Sequence, residues 1–444
     1  MEQTLDIKIK PLSLLKFAFP TMTANLFMSV YTMVDGIFVS NYVNTNALSA
    51  VNIVMPYVMI VLALGTMIGT GGSAVVSLQL GEGKNEEAKQ NFSFLSVTCF
   101  AACAVASVLS FIFREPLLQV LGANDIIFDY CADYATPLFC VAPMALLGMA
   151  LQSFFIAAGK PMLGMSFSLA GGVVNIFLDW LLIAQFGLGT MGAALATGIG
   201  YSIPGIAGVL YFTAARKGTL CFVKPKWRGK VLLKTITNGS SEMVAMTASG
   251  LTTVMMNNVI MGFKGEDGVA ALSILIYTMS LLTSIDMGYA LGVAPVTSYN
   301  YGAGNIDNLQ KEHRINLKVI GFASVIMYVL GIVLRNPLIS IFAEKGTAAY
   351  AMAEEGYWLF SIGYLYMGFN MYSSSLFTAL GDGKTSAVIS FCRGLIFLTI
   401  TIYGLSAVFG LNGLYLAMPA AEFMGLGLTL FYLKKLKGKY HYAE

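Results

Sequence analysis

The chain has 444 residues, of which 57% are hydrophobic and only 11% are charged, with a formal net charge of +3. Soluble domains carry about 25% charged residues, so these proportions exclude a water-soluble globular protein. Charge-free stretches at 90–113, 134–159 and 180–215 are long enough to cross a bilayer, which takes about 20 apolar residues. Their apolar runs are continuous rather than alternating, which favours helices over barrel strands.

Twelve transmembrane helices are predicted from the hydrophobic runs and from the turn and charge breaks between them. The first holds Pro20 and Asp35 and lacks a small-residue cleavage pattern, so we expect a retained helix rather than a signal peptide. The expected fold class is an all-α membrane protein of two pseudosymmetric six-helix lobes. The predicted helices cover residues 14–40, 50–79, 92–113, 130–157, 162–184, 190–213, 234–263, 268–300, 315–334, 350–380, 385–408 and 412–433.

The basic residues predict the orientation of these helices. An even number of spans places both termini on one side, and most of the Lys and Arg residues fall on that side, including seven between 216 and 234. Basic loops mark the cytoplasmic face, and they attract anionic lipid headgroups. The sequence therefore predicts a multi-pass protein of the plasma or inner membrane, with cytoplasmic termini and with lipids as partners.

An internal repeat divides the chain, because a shift of about 221 residues aligns its two halves. The shift predicts an N-lobe at 1–213, a cytoplasmic inter-lobe loop at 214–233 and a C-lobe at 234–444. Parallel repeats of this kind occur in transporters that bind substrate between lobes and alternate access by rocking. The aligned motifs are Gly81-x-Gly83 with Gly302-x-Gly304, Arg114-x-Pro116-Leu117 with Arg335-x-Pro337-Leu338, and Gly192-x-x-Leu195-Ala196 with Gly413-x-x-Leu416-Ala417.

Acidic residues inside predicted membrane helices are functional candidates, because each costs about 2.5–3.5 kcal/mol on insertion scales. Asp35 and Asp179 share a depth of roughly 8 Å below the outer boundary, at 1.5 Å per residue. Asn175 lies four residues before Asp179 on the same helix face, and Thr197 follows a short turn. These four residues predict one site for a small cation or a shared proton.

Such a pair of carboxylates has a raised proton affinity in a low dielectric. One charge moving through the membrane potential supplies about 2.3 kcal/mol per 100 mV, which could drive export. The coupling ion is H+ or Na+, and the residues do not choose between them. The alternative is that Asp35 and Asp179 only hydrogen-bond neighbouring helices.

The second half lacks equivalents of these acids. Glu242 and Arg393 lie at similar depths, so we expect an ion pair with either a structural or a gating role. Asp286 and Glu422 lie near mid-helix and are candidates to line the cavity. Further substrate-cavity candidates are Gln152, Phe154, Tyr277 and Met287.

No chemistry on a covalent bond is expected. The six cysteines include no CxxC pair, so neither a disulfide nor a metal site is predicted. Asn300 and the following glycine turn end a helix, while His313 falls in a predicted loop and His441 in the tail, which leaves no histidine relay. We expect no catalytic residue, no cofactor and no nucleic-acid partner, and a monomer that takes small-molecule substrates.

The string MVDGIFVSNYV around Asp35, the Phe19-Pro20 pair and SYNYGAGN at 298–305 resemble the multidrug and toxic compound extrusion (MATE) transporters of the MOP superfamily. The resemblance covers nearly the whole chain. It implies export of drug-like, often cationic or amphipathic molecules in exchange for protons or sodium ions.

Within that family, Asp35, Asn175, Asp179 and Thr197 resemble the first-lobe cation site of the DinF-type branch, and Pro20 its helix-bend proline. The sodium-type branch uses acids on helices 7 and 10. Here helix 7 offers Glu242, but the interior of helix 10 offers only Asn370, which counts against a second-lobe sodium site.

Two other functions remain open. A flippase for a lipid-linked, phosphorylated precursor would want several cationic residues in the cavity, and the predicted helix interiors hold only Arg393. An ion channel is disfavoured by two lobes with asymmetric acids.

Overall fold

The computed structural model describes residues 5–42, 45–124, 126–216 and 218–443, without the side chains of residues 32–49. All regular structure in these ranges is helical, as the sequence predicts.

In its described residues, the first half contains seven α-helices and one π-helical segment. The segment Trp180–Gln185 continues α6 and is π-helical, a geometry that recurs at functional sites. The helices are α1 (Pro11–Tyr42), α2 (Thr45–Gly81), α3 (Asn85–Ile112), α4 (Arg114–Leu121), α5 (Phe128–Ala157), α6 (Pro161–Asp179) and α7 (Gly189–Ala214).

The second half repeats this order with two merged helices. The longest, Gly229–Gly302, is broken at Gly265, and Leu398–Tyr440 is broken at Gly410, where both glycines have positive φ. A second π-helical segment, Cys392–Phe397, holds Arg393. The helices are α8 (Gly229–Gly302), α9 (Ile306–Val333), α10 (Arg335–Ser340), α11 (Ala348–Ser361), α12 (Tyr364–Ala379), α13 (Gly383–Phe391) and α14 (Leu398–Tyr440).

Several boundaries differ from the predicted ones. Helix α3 begins at Asn85 and α9 at Ile306, both earlier than predicted, because their first turns are polar and read as loop. Acidic residues in those turns, such as Glu86 and Asp307, are favourable at the positive end of a helix dipole. The predicted tenth helix is divided between α11 and α12. Within the described residues, eight helices are long and apolar enough to span a membrane, and two of these contain the glycine breaks.

The repeat is visible in the backbone. Gly83 and Gly304 have φ of 75° and 66°, and Gly189 and Gly410 have φ of 54° and 59°. Each pair is separated by 221 residues. The short helices α4 and α10, which begin at Arg114 and Arg335, have the same spacing.

Packing divides the chain into two compact units. The first unit contains residues up to Asp6 and Thr23–Gly239, and the second contains Ile7–Met22 and Ser240–Glu444. Helices α1 and α8 therefore each contribute to both units. The lobe boundaries expected from the repeat stay a prediction.

Glycines allow equivalent close helix approaches in the two units. In the first unit, Gly71 of α2 packs against the backbone of α8 at Thr235 and Gly239. In the second unit, Gly292 of α8 packs against Ala18 of α1, whose Cα would lie 2.9 Å from an added Cβ. Small residues permit this in membrane helix pairs.

Each unit has its own apolar core. In the first, α5 lies against α2, α3, α6 and α7, and its Cys131, Tyr134 and Phe139 are buried. In the second, Tyr357 and Phe360 of α11 pack with Tyr415 of α14.

Candidate functional site

Helices α6 and α7 form a close antiparallel pair after the short turn that joins them. A Cβ added at Gly200 would lie 2.7 Å from the Asn175 Cβ and 3.1 Å from the Gly171 carbonyl oxygen. A Cβ added at Gly171 would in turn reach Pro204 at 3.3 Å. Asn175 therefore lies opposite Gly200, and Gly171 opposite Pro204.

This register places Thr197 at the level of Asp179. Thr197 precedes Gly200 by three residues and shares its helix face, while Asp179 follows Asn175 by four residues on α6. All three polar side chains are buried: Asp179 is 0% exposed, Asn175 1% and Thr197 6%. The structure thus brings together three of the four residues that the sequence predicts to form an ion site.

The amide of Asn175 and the hydroxyl of Thr197 make no hydrogen bond with the residues that the structure describes. Buried polar groups are nearly always hydrogen-bonded, and an orphaned one costs about 1–3 kcal/mol. Two orphaned groups beside a buried carboxyl group are suited to coordinating a cation or a water molecule.

Asp35 and Pro20 lie on α1. The side chain of Asp35 falls outside the described residues, so its place in the predicted site stays a prediction. Pro20 is buried inside α1, whose helical assignment continues through it. The bend expected there also stays a prediction.

A narrow cleft opens beside Asn175 in the first unit. Its walls combine aromatic, thioether and small residues. Tyr31 and Tyr201 pack edge-to-face with ring centroids 6.1 Å apart. The lining residues include Met28, Tyr31, Met149, Gly172, Asn175 and Tyr201.

The second unit contains a buried polar network instead. Arg393 Nη1 lies 2.9 Å from Glu422 Oε1. Asn370 Nδ2 donates to Glu422 Oε2 at 2.8 Å and to the Glu422 carbonyl oxygen at 2.9 Å. Thr429 Oγ1 donates to Asn370 Oδ1 at 2.9 Å.

The expected pairing of Arg393 with Glu242 is wrong. Among the described residues, the carboxylate that lies within 4.0 Å of the Arg393 guanidinium belongs to Glu422. Depth along the helices suggested Glu242 as the partner. Glu242 lies within reach of the charge of Arg393, but Glu422 takes the hydrogen-bonded position. Glu242 is half-buried on α8.

The network occupies the positions that line the cleft in the first unit. A shift of 221 residues relates Met149 to Asn370, Gly172 to Arg393 and Tyr201 to Glu422. The same part of the fold is therefore a cleft in one unit and a filled ionic core in the other.

The remaining cavity candidates lie in different environments. Phe154 is fully buried and packs edge-to-face against Phe92, with ring centroids 5.0 Å apart. Tyr277 is 50% exposed and stacks on Phe342. Asp286 is buried, with its Cγ 3.2 Å from a Cβ added at Gly368. Gln152 and Met287 are half-buried. Their assignment to a substrate cavity stays a prediction.

Sequence reasoning missed a second polar cluster, at the start of α9. His313 was expected in a loop, but it lies in α9, is 7% exposed and places Nδ1 3.0 Å from Tyr372 Oη. The adjacent Glu312 is 1% exposed. The spacing of Glu312 and Asn316, four residues apart, could have indicated one helix face, but the polar first turn concealed the helix.

A sequence model of the family described as MatE matches residues 20–181 and, a second time, residues 242–403. The chain belongs to this family, the MATE transporters. Its assignment as a transporter rather than an enzyme follows from that membership, and its twelve predicted helices are consistent with the family. The two matches begin 222 residues apart, close to the repeat found in the sequence and backbone.

Known proteins resemble this one along nearly its whole length. The multidrug export protein MepA of Staphylococcus haemolyticus is 23% identical over 96% of this chain and 94% of its own. A MATE crystallised in complex with MaL6 superposes with a TM-score of 0.92 at 18% identity, over 99% of this chain and 98% of its own. The Vibrio cholerae MATE transporter VcmN gives 0.88 at 21% identity, over 97% and 98%. At these identities the structural likeness shows the shared fold.

Proposed function

We propose that this MATE transporter exports drug-like small molecules, often cationic or amphipathic, in exchange for protons or sodium ions. The main support for this proposal is the buried set of Asn175, Asp179 and Thr197 beside the cleft of the first unit. The name of the Staphylococcus relative, a multidrug export protein, supports the substrate class.

The coupling site in this proposal consists of Asp35, Asn175, Asp179 and Thr197. The Asn175 and Thr197 oxygens are acceptors without partners among the described residues, which suits a cation. A carboxyl group that is 0% exposed also suits a proton, because burial disfavours a lone ionised carboxylate. Entry of one such charge down the membrane potential yields about 2.3 kcal/mol per 100 mV.

The substrate in this proposal contacts the cleft of the first unit. Methionine side chains adapt to different apolar shapes, and tyrosine faces attract organic cations. Met28, Met149, Tyr31 and Tyr201 provide both features. The exchange follows alternating access, in which ion binding and drug binding favour opposite openings of the protein.

The flippase alternative has less support. A phosphorylated precursor needs cationic side chains that are available to it, whereas Arg393 is bound to Glu422 at 2.9 Å. The proposed location is the plasma membrane, with both termini in the cytoplasm.

The test is export of a fluorescent cationic drug from proteoliposomes under an imposed proton or sodium gradient. The variants are Asp35→Asn, Asp179→Asn, Asn175→Ala and Thr197→Ala. We expect gradient-driven export to be abolished in both aspartate variants, because neither can exchange charge, and to be weakened in the other two. The gradient that drives the wild type identifies the ion.

The matched control is Asp267→Asn, which makes the same chemical change at an exposed position and should export normally. Export that persists in both site variants would return these acids to a structural role. An absence of drug export by correctly inserted wild-type protein would contradict the proposed function.

A further inference from the structure

Outside the proposed coupling site, Glu312 in the first turns of α9 is a buried carboxyl group. It is 1% exposed, and its hydrogen-bond partners are uncharged. Thr297 Oγ1 lies 2.7 Å from Oε1, and Asn300 Nδ2 donates to Oε2 at 3.1 Å. Among the described residues, no Lys or Arg forms an ion pair with it.

A buried carboxylate without a counter-ion is costly, and such a group usually takes up a proton instead. The surroundings suit both forms of Glu312. When the carboxyl group is ionised, Thr297 and Asn300 donate to it. When it is protonated, it can donate to Thr297 Oγ1, whose own proton then points to the Val293 carbonyl oxygen, 3.4 Å away.

The first unit supplies an internal comparison for this cluster. Asn91 and Gln79 occupy the positions of Glu312 and Asn300, and Asn91 Nδ2 donates to Gln79 Oε1 at 3.0 Å. An uncharged amide pair therefore satisfies the same helix contact. The fold does not require a carboxyl group there, so Glu312 needs a reason beyond packing.

Titratable groups lie near Glu312 on three helices. His313 lies beside it on α9, Tyr289 on α8 and Tyr372 on α12. Tyr289 Oη donates to Asn316 Oδ1 at 2.7 Å, and Asn316 Nδ2 contacts Tyr372 Oη at 3.4 Å. Lys311 and Arg314 flank the pair in sequence, but both are exposed.

The segment after α14 closes this cluster. Tyr442 is 1% exposed and packs edge-to-face on His313, with ring centroids 5.0 Å apart. Its hydroxyl donates to the Leu433 carbonyl oxygen at 2.7 Å. Gln310 donates to the His441 carbonyl oxygen at 3.2 Å, and Tyr440 Oη to Asp382 at 2.8 Å.

We propose that Glu312 is a proton-binding site of the second unit, separate from the coupling site, and that Tyr442 controls its access to water. The proton binds to a carboxylate oxygen of Glu312 and leaves from the same atom. His313 and Tyr372 form the polar side through which it travels when Tyr442 moves away.

The experiment is infrared difference spectroscopy of the full chain in lipid nanodiscs, recorded between alkaline and acidic pH. A protonated carboxyl group gives a carbonyl stretch that an ionised one lacks. We expect Glu312→Gln to lose one such band. Glu86→Gln, an exposed carboxylate paired with Lys89 on α3, should keep it. An unchanged spectrum in Glu312→Gln would overturn the proposal.

Two further variants keep the test decisive. If Glu312→Gln does not fold, Glu312→Asp should shift the frequency of the band, and an unshifted band would contradict the assignment. Tyr442→Ala should keep the band but exchange its proton for deuterium several-fold faster, and an unchanged rate would remove Tyr442 from the proposal. Because the readout requires no export, it fails or succeeds independently of the proposed function.

Discussion

The two units use equivalent positions in opposite ways. In the first, Met149, Gly172 and Tyr201 border a cleft, and the nearby Asn175 amide has no partner among the described residues. In the second, the equivalents Asn370, Arg393 and Glu422 fill that space with an ion pair and hydrogen bonds. One repeat can thus supply a binding site while the other supplies a rigid core.

The contrast reverses at the start of the third helix of each half. There the first unit has an aromatic cluster beside its uncharged amide pair: Phe92 packs against Phe154, Phe212 and Phe222 with ring centroids 4.8–5.0 Å apart. The second unit has His313 at the position of Phe92 and packs it against Tyr442. The buried titratable groups of the two units therefore lie at different positions in the repeat.

The largest expected effect is that of Arg393→Met. It would leave Glu422, whose side chain is 4% exposed, as a buried charge without its partner, and such losses cost about 3–5 kcal/mol. The midpoint of thermal unfolding should fall markedly. Adding Glu422→Gln should restore much of it, because Asn370 can still donate to the amide oxygen. A small effect of the single variant would mean that the second unit is not held by this ion pair.

The two asparagines give a matched pair of alanine variants. Asn370→Ala removes hydrogen bonds to Glu422 and Thr429 and should cost about 2–4 kcal/mol of unfolding free energy, since bonds to charged groups are stronger than neutral ones. Asn175→Ala removes no hydrogen bond among the described residues and should leave stability nearly unchanged while export weakens. Equal losses of stability in the two variants would contradict the proposed difference between a rigid core in the second unit and an open site in the first.

The glycine crossings should respond less strongly. In Gly71→Ala the new methyl group meets the Thr235 carbonyl oxygen and the Gly239 nitrogen, which are backbone atoms. In Gly292→Ala it meets Ala18, partly through a side-chain carbon at 2.9 Å. Overpacking costs about 1–3 kcal/mol. We expect the larger fall in unfolding midpoint for Gly71→Ala, and expect Ala18→Gly to rescue part of Gly292→Ala. A larger fall for Gly292→Ala would show that α1 shifts less easily than α8 to make room for the added methyl group.

The sequence predicted the helices and the repeat well, because hydrophobic length and glycine turns are local signals. It also placed Asn175 and Asp179 on one buried face, since their spacing of four residues and the short turn to α7 leave few alternatives. The expected depth of each acid below the membrane boundary came from counting residues from the end of its predicted helix. These predictions needed no knowledge of which helices are neighbours.

What the sequence could not predict depends on helix rotation and on polar helix ends. Arg393 lies in a π-helical segment, which changes the direction of the side chains that follow, so its partner could not be read from depth. Glu312 and His313 lie in a turn whose charged neighbours resembled a loop. The contacts of Tyr442 join parts of the chain more than a hundred residues apart, such as His313.

The smallest expected effect is that of His313→Phe, which gives the second unit the residue that the first unit has at Phe92. The ring fits between Tyr372 and Tyr442, and the loss is one hydrogen bond to Tyr372, about 1 kcal/mol. The infrared band assigned to Glu312 should persist, because its partners are Thr297 and Asn300, but its deuterium exchange should slow with the polar path removed. Loss of the band would instead make His313 part of the proton site itself. Proton binding in the second unit would then depend on Glu312 and His313 together.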